Sequence, residues 1–269
     1  MGDSLRGSAL GRSLLLCAMT TGLAVALTAC GGGGSYGKYG LVQKETLTVC
    51  SDVPYPPLEM EAEGGGYTGF DMDLMRQIAT GLGLKMQVKD VGFDGLQSGA
   101  TLAAGQCDIA ASAMTITKKR EKHLDFSNPY FDAKQSLLAP KGSGIKNIKD
   151  LAGKKVGVQQ GTTGQMYTKE NAPDTTTIVA FPSDTELFAA LKANQVDAIL
   201  QDIPPNTRHA KESSKFRIVQ KYDTNEHYGF AVKEEGKEEL LKAVNQQLKK
   251  LRSNGTYDKI YDKYFSAAG

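Results

Sequence analysis

The feature that most constrains the fold is an alternation of short apolar runs with stretches whose apolar residues recur at helical spacing. Between 71 and 82, for example, Met72, Met75 and Ile78 share one helix face, and the pattern ends at glycine. The predicted strands include 47–51, 86–91, 108–113, 156–158, 177–179 and 198–200, and the predicted helices include 71–82, 93–104, 165–169 and 184–193. Because strands that alternate with helices form mainly parallel sheets covered by helices, the sequence predicts an α/β fold of two similar units.

The junction from 108 to 130 joins a predicted strand to a basic turn and fits an anion site. Backbone amides near Thr115, at the carboxyl end of a buried strand, lack sheet partners. Thr117 is placed to cap a short helix that carries Arg120. Amides, a hydroxyl and a guanidinium can therefore meet on one carboxylate. The alternative is an ordinary strand-to-helix connection with a solvated arginine.

A glycine-rich turn at 161–164 follows the predicted strand 156–158 and takes the corresponding place in the second unit. It lacks both the Gly-Lys-Ser/Thr ending of a P-loop and the spacing of a dinucleotide-binding loop. A smaller anion fits it better. Open α/β sheets bind ligands at the carboxyl ends of their strands, which is where both turns lie.

The start of the chain has the pattern of an export signal rather than of a folded domain. Two arginines precede the apolar run 14–29, which stops at Cys30 and a run of glycines. We predict a lipoprotein signal peptide at 1–29, lipidation (palmitate) at Cys30 and a flexible glycine-rich tether at 30–40. The protein is then extracytoplasmic and lipid-anchored to a bacterial cell membrane. A transmembrane anchor is the alternative, but polar residues and glycine interrupt the run.

Charge and cysteine content narrow the possible partners. The formal net charge of +2, with one short basic run, argues against a nucleic-acid surface. Cys50 and Cys107 remain in the predicted mature chain, and outside the cytosol a disulfide is expected, with free thiols as the alternative. The three histidines are scattered and no metal-ligand spacing occurs, so neither a metal site nor a cofactor is expected.

Several short motifs occur in a fixed order along the chain. They are SDVPYPP (51–57), GFDMDL (69–74), FDGL (93–96), MTIT (114–117), DFSNPY (125–130), GVQQGTT (157–163), DAILQD (197–202) and NGTY (254–257). On these motifs the chain resembles, across 41–266, the extracellular solute-binding proteins of family 3, which serve polar amino-acid ABC transporters. The resemblance implies a type II periplasmic-binding-protein fold, in which two α/β lobes, each an open sheet flanked by helices, are joined by two hinge strands.

The resemblance also implies the limits of the lobes and the partners. Lobe 1 comprises 41–129 and 229–269, lobe 2 comprises 135–223, and the hinge comprises 130–134 and 224–228. The lobes close on a free amino acid, and the closed monomer delivers it to the permease and ATPase subunits of an ABC importer.

Carried over position by position, the resemblance implies a clamp for the head group of an amino acid. Arg120 and the amides of Thr115 and Thr163 hold the α-carboxylate. Asp202, the Ala113 carbonyl and the Thr115 hydroxyl hold the α-ammonium. A planar guanidinium suits a carboxylate, and each charge of a buried zwitterion needs a partner. For Asp202 the alternative role is the N-cap of the helix that follows it.

Tyr55 and Phe93 resemble the aromatic pair that holds the ligand side chain. Flat aromatic faces accept aliphatic stems and cations alike. Packing in a core is the alternative role, above all for Phe93. Met114, from the motif at 114–117, belongs to the same predicted contact set.

Asp52 is the predicted selectivity residue, because family members for glutamine and for lysine or arginine both carry an acid at this position. Glutamine binders of the family often have a lysine where this chain has Gln159 and a histidine where it has Gln201. Without that lysine, less positive charge compensates the negative charge of the Asp52 carboxylate in the cleft. The sequence therefore favours arginine or lysine over glutamine.

The predicted function is the substrate-binding component of an ABC importer, without chemistry of its own. An enzyme of another class, similar to cyclohexadienyl dehydratases on this scaffold, needs a general acid or base in the cleft. Here Asp52 and Asp202 are better explained as counter-charges of a ligand, and no histidine falls in a cleft motif. The sensing domain of a receptor or kinase is also disfavoured, because no membrane span or catalytic domain follows Phe265.

Overall fold

A computed structural model describes residues 35–266, and the structural statements below refer to these residues. The strands are β1 (Thr46–Ser51), β2 (Met60–Glu61), β3 (Tyr67–Thr68), β4 (Lys85–Asp90), β5 (Ile109–Ala110), β6 (Leu124–Phe126), β7 (Phe131–Pro140), β8 (Lys155–Gln159), β9 (Thr177–Phe181), β10 (Ala198–Asp202), β11 (Phe216–Tyr228) and β12 (Ala231–Lys233). The α-helices are α1 (Phe70–Gly81), α2 (Phe93–Gln97), α3 (Ala100–Ala103), α4 (Thr163–Asn171), α5 (Asp184–Lys192), α6 (Ile203–Glu212), α7 (Glu238–Ser253) and α8 (Thr256–Phe265). Short 3-10 helices lie at Arg120–Lys122 and Ile148–Leu151.

The first sheet has the order β4-β1-β5-β12-β6. Strand β1 is parallel to β4 and β5, and β12 is antiparallel to β5 and β6. All six residues of β1 are buried, as expected of a central strand covered by helices. Ile78 of α1 and Val244 of α7 pack with Leu47 in one apolar cluster. We call this sheet and its helices lobe 1.

The second sheet has the order β11-β7-β10-β8-β9. Strand β8 is parallel to β9 and β10, whereas β7 is antiparallel to β10 and β11. The neighbouring residues Leu137 and Leu138 enter two different apolar clusters, because successive side chains of a strand point to opposite faces. This sheet, with α4, α5 and α6, is lobe 2. The α/β class with two lobes is thus confirmed, while the residue limits of the lobes stay a prediction.

The two lobes are joined by the long antiparallel strands β7 and β11. Their pairing runs from Phe216 opposite Pro140 to Tyr228 opposite Phe131, with a register shift between Tyr222 and Glu226. The rings of Phe131 and Tyr228 stack at a centroid distance of 5.3 Å. The segments predicted as the hinge, 130–134 and 224–228, therefore lie largely on strands that continue into the second sheet.

Cys50 and Cys107 form a disulfide bond, with their Cα atoms 5.8 Å apart. Cys50 lies in β1, and Cys107 comes two residues before β5, which pairs with β1 in parallel. The parallel pairing brings the two residues together, so of the two alternatives left open by the sequence the structure has the bridge.

Two predicted elements differ from those observed. The predicted helix 93–104 is divided into α2 and α3, because Gly99 adopts a left-handed φ of +78°. The predicted strand 108–113 is reduced to Ile109–Ala110. Ala113 has a φ of +44° and its amide donates to Asp71 Oδ2 at 3.0 Å, so the chain leaves the sheet before reaching it.

The predictions for the signal peptide at 1–29 and for lipidation at Cys30 lie outside the described residues. Of the predicted tether, however, residues 36–40 form a turn in which Tyr36 and Leu41 exchange backbone hydrogen bonds of 2.8 and 2.9 Å. Lys237 Nζ binds the Gly40 carbonyl and lies 2.7 Å from Asp108 Oδ1. This part of the predicted tether is therefore folded onto lobe 1. Within 35–266 no helix has the length and apolar character needed to cross a membrane.

Candidate functional site

A cavity lies between the two lobes, where their parallel strands end. Its empty space is about 310 Å³, including the part open to solvent. Lobe 1 contributes the residues that follow β1 and β5 and the start of α2, and lobe 2 contributes the ends of β8 and β10 and the start of α4. The lining residues are Asp52, Tyr55, Phe93, Ser112, Ala113, Thr115, Arg120, Gln159, Thr162, Thr163 and Asp202. We call this space the central cavity.

The central cavity brings together every predicted ligand contact except Met114 and Gln201. Met114 is fully buried in the apolar cluster that also contains Leu96 and Leu124. Its neighbours Ala113 and Thr115 line the cavity, so Met114 points to the opposite side. Met114 therefore does not line the central cavity, and its contact with the ligand stays a prediction that the lining of the cavity does not support.

Gln201 likewise points away from the cavity that its neighbour Asp202 lines. Its Nε2 donates to Asp184 Oδ1 at 2.9 Å and to Asn206 Oδ1 at 3.1 Å inside lobe 2. The ligand contact of Gln201 therefore stays a prediction that the lining of the cavity does not support, and the lining residues are the candidates for selectivity.

Arg120 is the only cationic side chain among the residues described as lining the central cavity, and it is 4% exposed. Its Nη1 donates to the Thr115 carbonyl at 2.7 Å and its Nη2 to the Gly161 carbonyl at 3.0 Å. The guanidinium carbon lies 5.2 Å from the centroid of the Phe93 ring. Burial lowers the pKa of Arg120 to about 10, which leaves it charged at neutral pH. The remaining donors of its fork are available to a carboxylate.

Asp202 places its carboxylate in the central cavity rather than over the helix behind it. It occupies the N-cap position of α6 but makes no side-chain cap bond. Instead it accepts from the Tyr55 hydroxyl at 3.0 Å, the Tyr228 hydroxyl at 2.5 Å and Gln135 Nε2 at 2.5 Å. Burial, and then the charge of Glu226, raise the pKa of Asp202 to about 7.

Asp52 lies at another part of the cavity and is 9% exposed. Its Oδ2 accepts from Gln159 Nε2 at 2.6 Å, and its amide donates to Ser112 Oγ at 3.0 Å. Burial, and to a smaller extent the charges of Asp90, Asp184 and Glu186, raise the pKa of Asp52 to about 7, although the bond from Gln159 lowers it. This end of the cavity is strongly electronegative.

Sequence reasoning missed the acid Glu226, which lies on β11 in the hinge. Its Oε2 accepts from the hydroxyls of Thr115 at 3.0 Å and Thr163 at 2.7 Å, so it connects both lobes. Gln135 Nε2 also lies 3.3 Å from both of its oxygens. No motif marks Glu226. Its place depends on the register shift in β11, which cannot be read from the sequence.

Direct contacts cross the central cavity from one lobe to the other. Gln159 of lobe 2 binds Asp52 of lobe 1, and Tyr55 of lobe 1 binds Asp202 of lobe 2. Arg120 of lobe 1 binds a backbone carbonyl of lobe 2. The lobes are therefore closed against each other through the same side chains that line the cavity.

One buried guanidinium and two buried carboxyls line this cavity, together with two aromatic residues, Tyr55 and Phe93. A bound molecule with a carboxylate and an ammonium group matches Arg120 and Asp202. A further positive group matches Asp52, because a buried charge is stable only beside an opposite one. The site is thus suited to a small zwitterion with an additional positive charge.

Comparison with known proteins gives one family. A family model described as bacterial extracellular solute-binding proteins, family 3, matches residues 47–267. The ABC transporter glutamine-binding protein GlnH of Bacillus subtilis is 36% identical over 255 residues, which cover 89% of this chain and 92% of that protein.

Solved structures give the same result. An ancestral arginine-binding protein bound to arginine is 39% identical, with a TM-score of 0.78 over 83% of this chain and 99% of that chain. An ancestral arginine-binding protein bound to glutamine is 38% identical, with a TM-score of 0.78 over 83% of this chain and 99% of that chain. An ancestral amino acid-binding protein described as a precursor of cyclohexadienyl dehydratase is 38% identical, with a TM-score of 0.76 over 82% of this chain and 96% of that chain.

Proposed function

The chain belongs to the bacterial extracellular solute-binding proteins of family 3, and from this we propose that it is the binding component of an ABC importer for arginine or lysine. The observation that carries the choice of ligand is the electronegative end of the central cavity. There Asp52 is buried near Asp90, Asp184 and Glu186, and its pKa is raised to about 7. A guanidinium or ammonium group from the ligand supplies the charge that stabilises the ionised carboxylate.

The other end of the cavity supports recognition of the group that all amino acids share. Arg120 binds the α-carboxylate, together with the amides of Thr115 and Thr163. Asp202 binds the α-ammonium, together with the Ala113 carbonyl and the Thr115 hydroxyl. The hydroxyls of Tyr55 and Tyr228 already hold the Asp202 carboxylate in place, so little side-chain entropy is lost when the ligand binds.

The aliphatic stem of the ligand lies between Tyr55 and Phe93, whose rings line the cavity. Cleft closure excludes water from the bound charges, which strengthens each ion pair. Closure also brings both lobes into the arrangement that is presented to the permease. Because Asp52 and Gln159 are paired in the closed protein, a side chain that reaches Asp52 must replace or share this bond.

Glutamine is the second candidate. Two observations favour it: the relative GlnH is a glutamine-binding protein, and an ancestral arginine-binding protein has been solved with glutamine bound. A glutamine amide can donate to Asp52 and accept from Gln159. It brings no positive charge, however, and so leaves the burial cost of the Asp52 carboxylate uncompensated.

An enzyme of the cyclohexadienyl dehydratase type is the third candidate, because one neighbour is a precursor of such an enzyme. That neighbour is itself described as an amino acid-binding protein. Among the described lining residues the titratable groups are Asp52, Tyr55, Arg120 and Asp202. The carboxyls and the guanidinium are all assigned here to charges of a bound amino acid, and we therefore propose a binder rather than a catalyst.

We also propose that the protein is held at the outer face of the cell membrane by lipid on Cys30. The proposal rests on the pattern of the signal at 1–29. Metabolic labelling with an alkyne analogue of palmitate should mark the wild-type protein and leave Cys30→Ser unmarked. Equal labelling of both proteins would contradict lipidation at this residue.

Thermal-shift measurements of the purified protein against the twenty amino acids test the proposed ligand class. At a hundredfold excess over Kd, we expect arginine or lysine to raise Tm by about 5–10 °C. A comparable shift with glutamine and none with either basic amino acid would replace the proposal by the glutamine binder. Turnover of a cyclohexadienyl acid, with no shift from any amino acid, would replace it by the enzyme.

A further inference from the structure

We propose that a second crevice, beside the hinge, binds a small apolar carboxylate such as an aromatic acid. It measures about 1020 Å³, including the part open to solvent, and none of its lining residues is among those of the central cavity. Its walls come from lobe 1, from the hinge strand β7 and from lobe 2. We call it the hinge crevice. About 380 Å³ of this space is accessible to a bound molecule, which lies within the range of small-molecule sites.

The lobe 1 wall of the hinge crevice is aromatic. Phe265 packs 5.0 Å from Phe131 and 4.9 Å from Tyr261, measured between ring centroids, and Phe70 supports it from behind at 5.1 Å. Tyr261 is nevertheless 38% exposed, which is unusual for a large apolar side chain in such a cluster. The wall is thus a preformed apolar surface that a ring or a short chain can cover.

The lobe 2 wall is basic. Arg208 and Lys211 lie three positions apart on α6, are exposed and line the crevice. Within 35–266 neither has a carboxylate within 4.0 Å, whereas Lys134, which also lines the crevice, binds Asp223 at 2.8 Å. Asp132 is the one carboxylate among the described lining residues, and its Oδ1 lies 2.8 Å from Nδ1 of His227.

An apolar wall opposite two unpaired cations selects a molecule with one apolar side and one negative group. The negative group pairs with Arg208 and Lys211, and the apolar part covers Tyr261 and Phe265. A neutral molecule of the same shape gains only the apolar contact with the aromatic wall. An inorganic anion gains only the pairing with the two cations, which is weak at an exposed site.

A calorimetric titration with 2-naphthoate tests the site, and 2-naphthamide serves as the neutral probe of the same shape. We expect saturable binding of 2-naphthoate with Kd on the order of 1 mM or below. The double variant Arg208→Gln/Lys211→Gln should bind 2-naphthoate at least about fivefold more weakly than the wild type does. 2-Naphthamide should bind the wild type as weakly as 2-naphthoate binds the double variant. The matched control, Lys249→Gln/Lys250→Gln on α7, should stay within about twofold of the wild type.

Arg120 in the central cavity also attracts carboxylates. Neither Arg208 nor Lys211 lines that cavity, so binding of 2-naphthoate there would be equal in the double variant and the wild type. Both replaced side chains of α6 are exposed, so the double variant should keep its circular dichroism spectrum and Tm. Absence of saturation, or equal binding by the double variant and the wild type, would each overturn the proposal.

Discussion

Replacing Asp52 by asparagine should stabilise the ligand-free protein while weakening its binding of basic amino acids. Asparagine keeps the shape of the side chain and can still accept the bond that Gln159 donates. It removes the ionisable carboxyl group, whose pKa is raised from 3.8 to about 7, mainly by burial. A shift of this size corresponds to about 4 kcal/mol of destabilisation at pH above 7.

The sign of the effect follows from the direction of the shift. The unfolded carboxyl ionises near its ordinary pKa of 3.8, whereas the folded one stays protonated up to about 7. The folded state therefore loses stability as pH rises through this window, and the asparagine variant does not. At pH 8 we expect the variant to gain about 2–4 kcal/mol and about 5–15 °C in Tm, with little difference near pH 4.

Differential scanning calorimetry at pH 4 and pH 8 measures this gain, and titration calorimetry measures the affinity. Loss of the charged partner should weaken arginine or lysine binding by about 30-fold or more and leave glutamine within about tenfold. Asp174→Asn removes an exposed carboxylate from a turn in lobe 2 and serves as the matched control. A variant with unchanged Tm at pH 8 would refute the burial cost, and unchanged arginine affinity would refute the role in selectivity.

Four further predictions concern the head-group clamp, the hinge and the disulfide. Arg120→Lys should weaken binding of every amino acid by at least about 100-fold in titration calorimetry, because an ammonium cannot form the bidentate pair, and a weaker effect on some ligands only would contradict the clamp. The pKa values of Asp52 and Asp202 are both raised to about 7, and the positive groups of the ligand need these carboxyls ionised. The affinity for the ligand should therefore fall about tenfold per acid from pH 8 to pH 6, and binding at pH 7 should release protons. Proton uptake on binding would contradict this. Glu226→Gln should move the acid limb of that profile to lower pH, because the Glu226 charge contributes to the raised pKa of Asp202, and an unmoved limb would exclude this coupling. Replacing Cys50 and Cys107 together by alanine should cost about 4 kcal/mol, given their separation of 57 residues, and a urea midpoint equal to that of the wild type would contradict it.

Much of the site could be predicted because its residues follow strands whose pattern is clear. Thr115 and Asp202 come shortly after buried apolar runs, and Arg120 follows Thr115 in the basic turn. The carboxyl ends of parallel strands meet at one edge of a sheet, so these residues come together there. Met114 and Gln201 were predicted as ligand contacts because neighbours in a motif were treated as equivalent, whereas neither lines the central cavity. Each stands next to a residue that lines the cavity. Because successive side chains of an extended chain point to opposite sides, this alternation could have indicated that both side chains point away from the cavity.

Other features depend on contacts between distant parts of the chain. Glu226 reaches Thr115 and Thr163 only because β11 bends across both lobes with a register shift. Ala113 adopts a left-handed φ because Asp71 accepts its amide hydrogen from another element. Such placements follow from tertiary packing and leave no local pattern. The division of the helix at Gly99, by contrast, was marked by the glycine itself.

The most direct measurement is a competitive calorimetric titration of the wild-type protein with arginine, lysine and glutamine. We predict that arginine or lysine binds with a Kd at least about tenfold below that of glutamine and displaces it, because only a basic side chain neutralises Asp52. Tight binding of glutamine with no heat from arginine or lysine would contradict the proposed selectivity for basic amino acids.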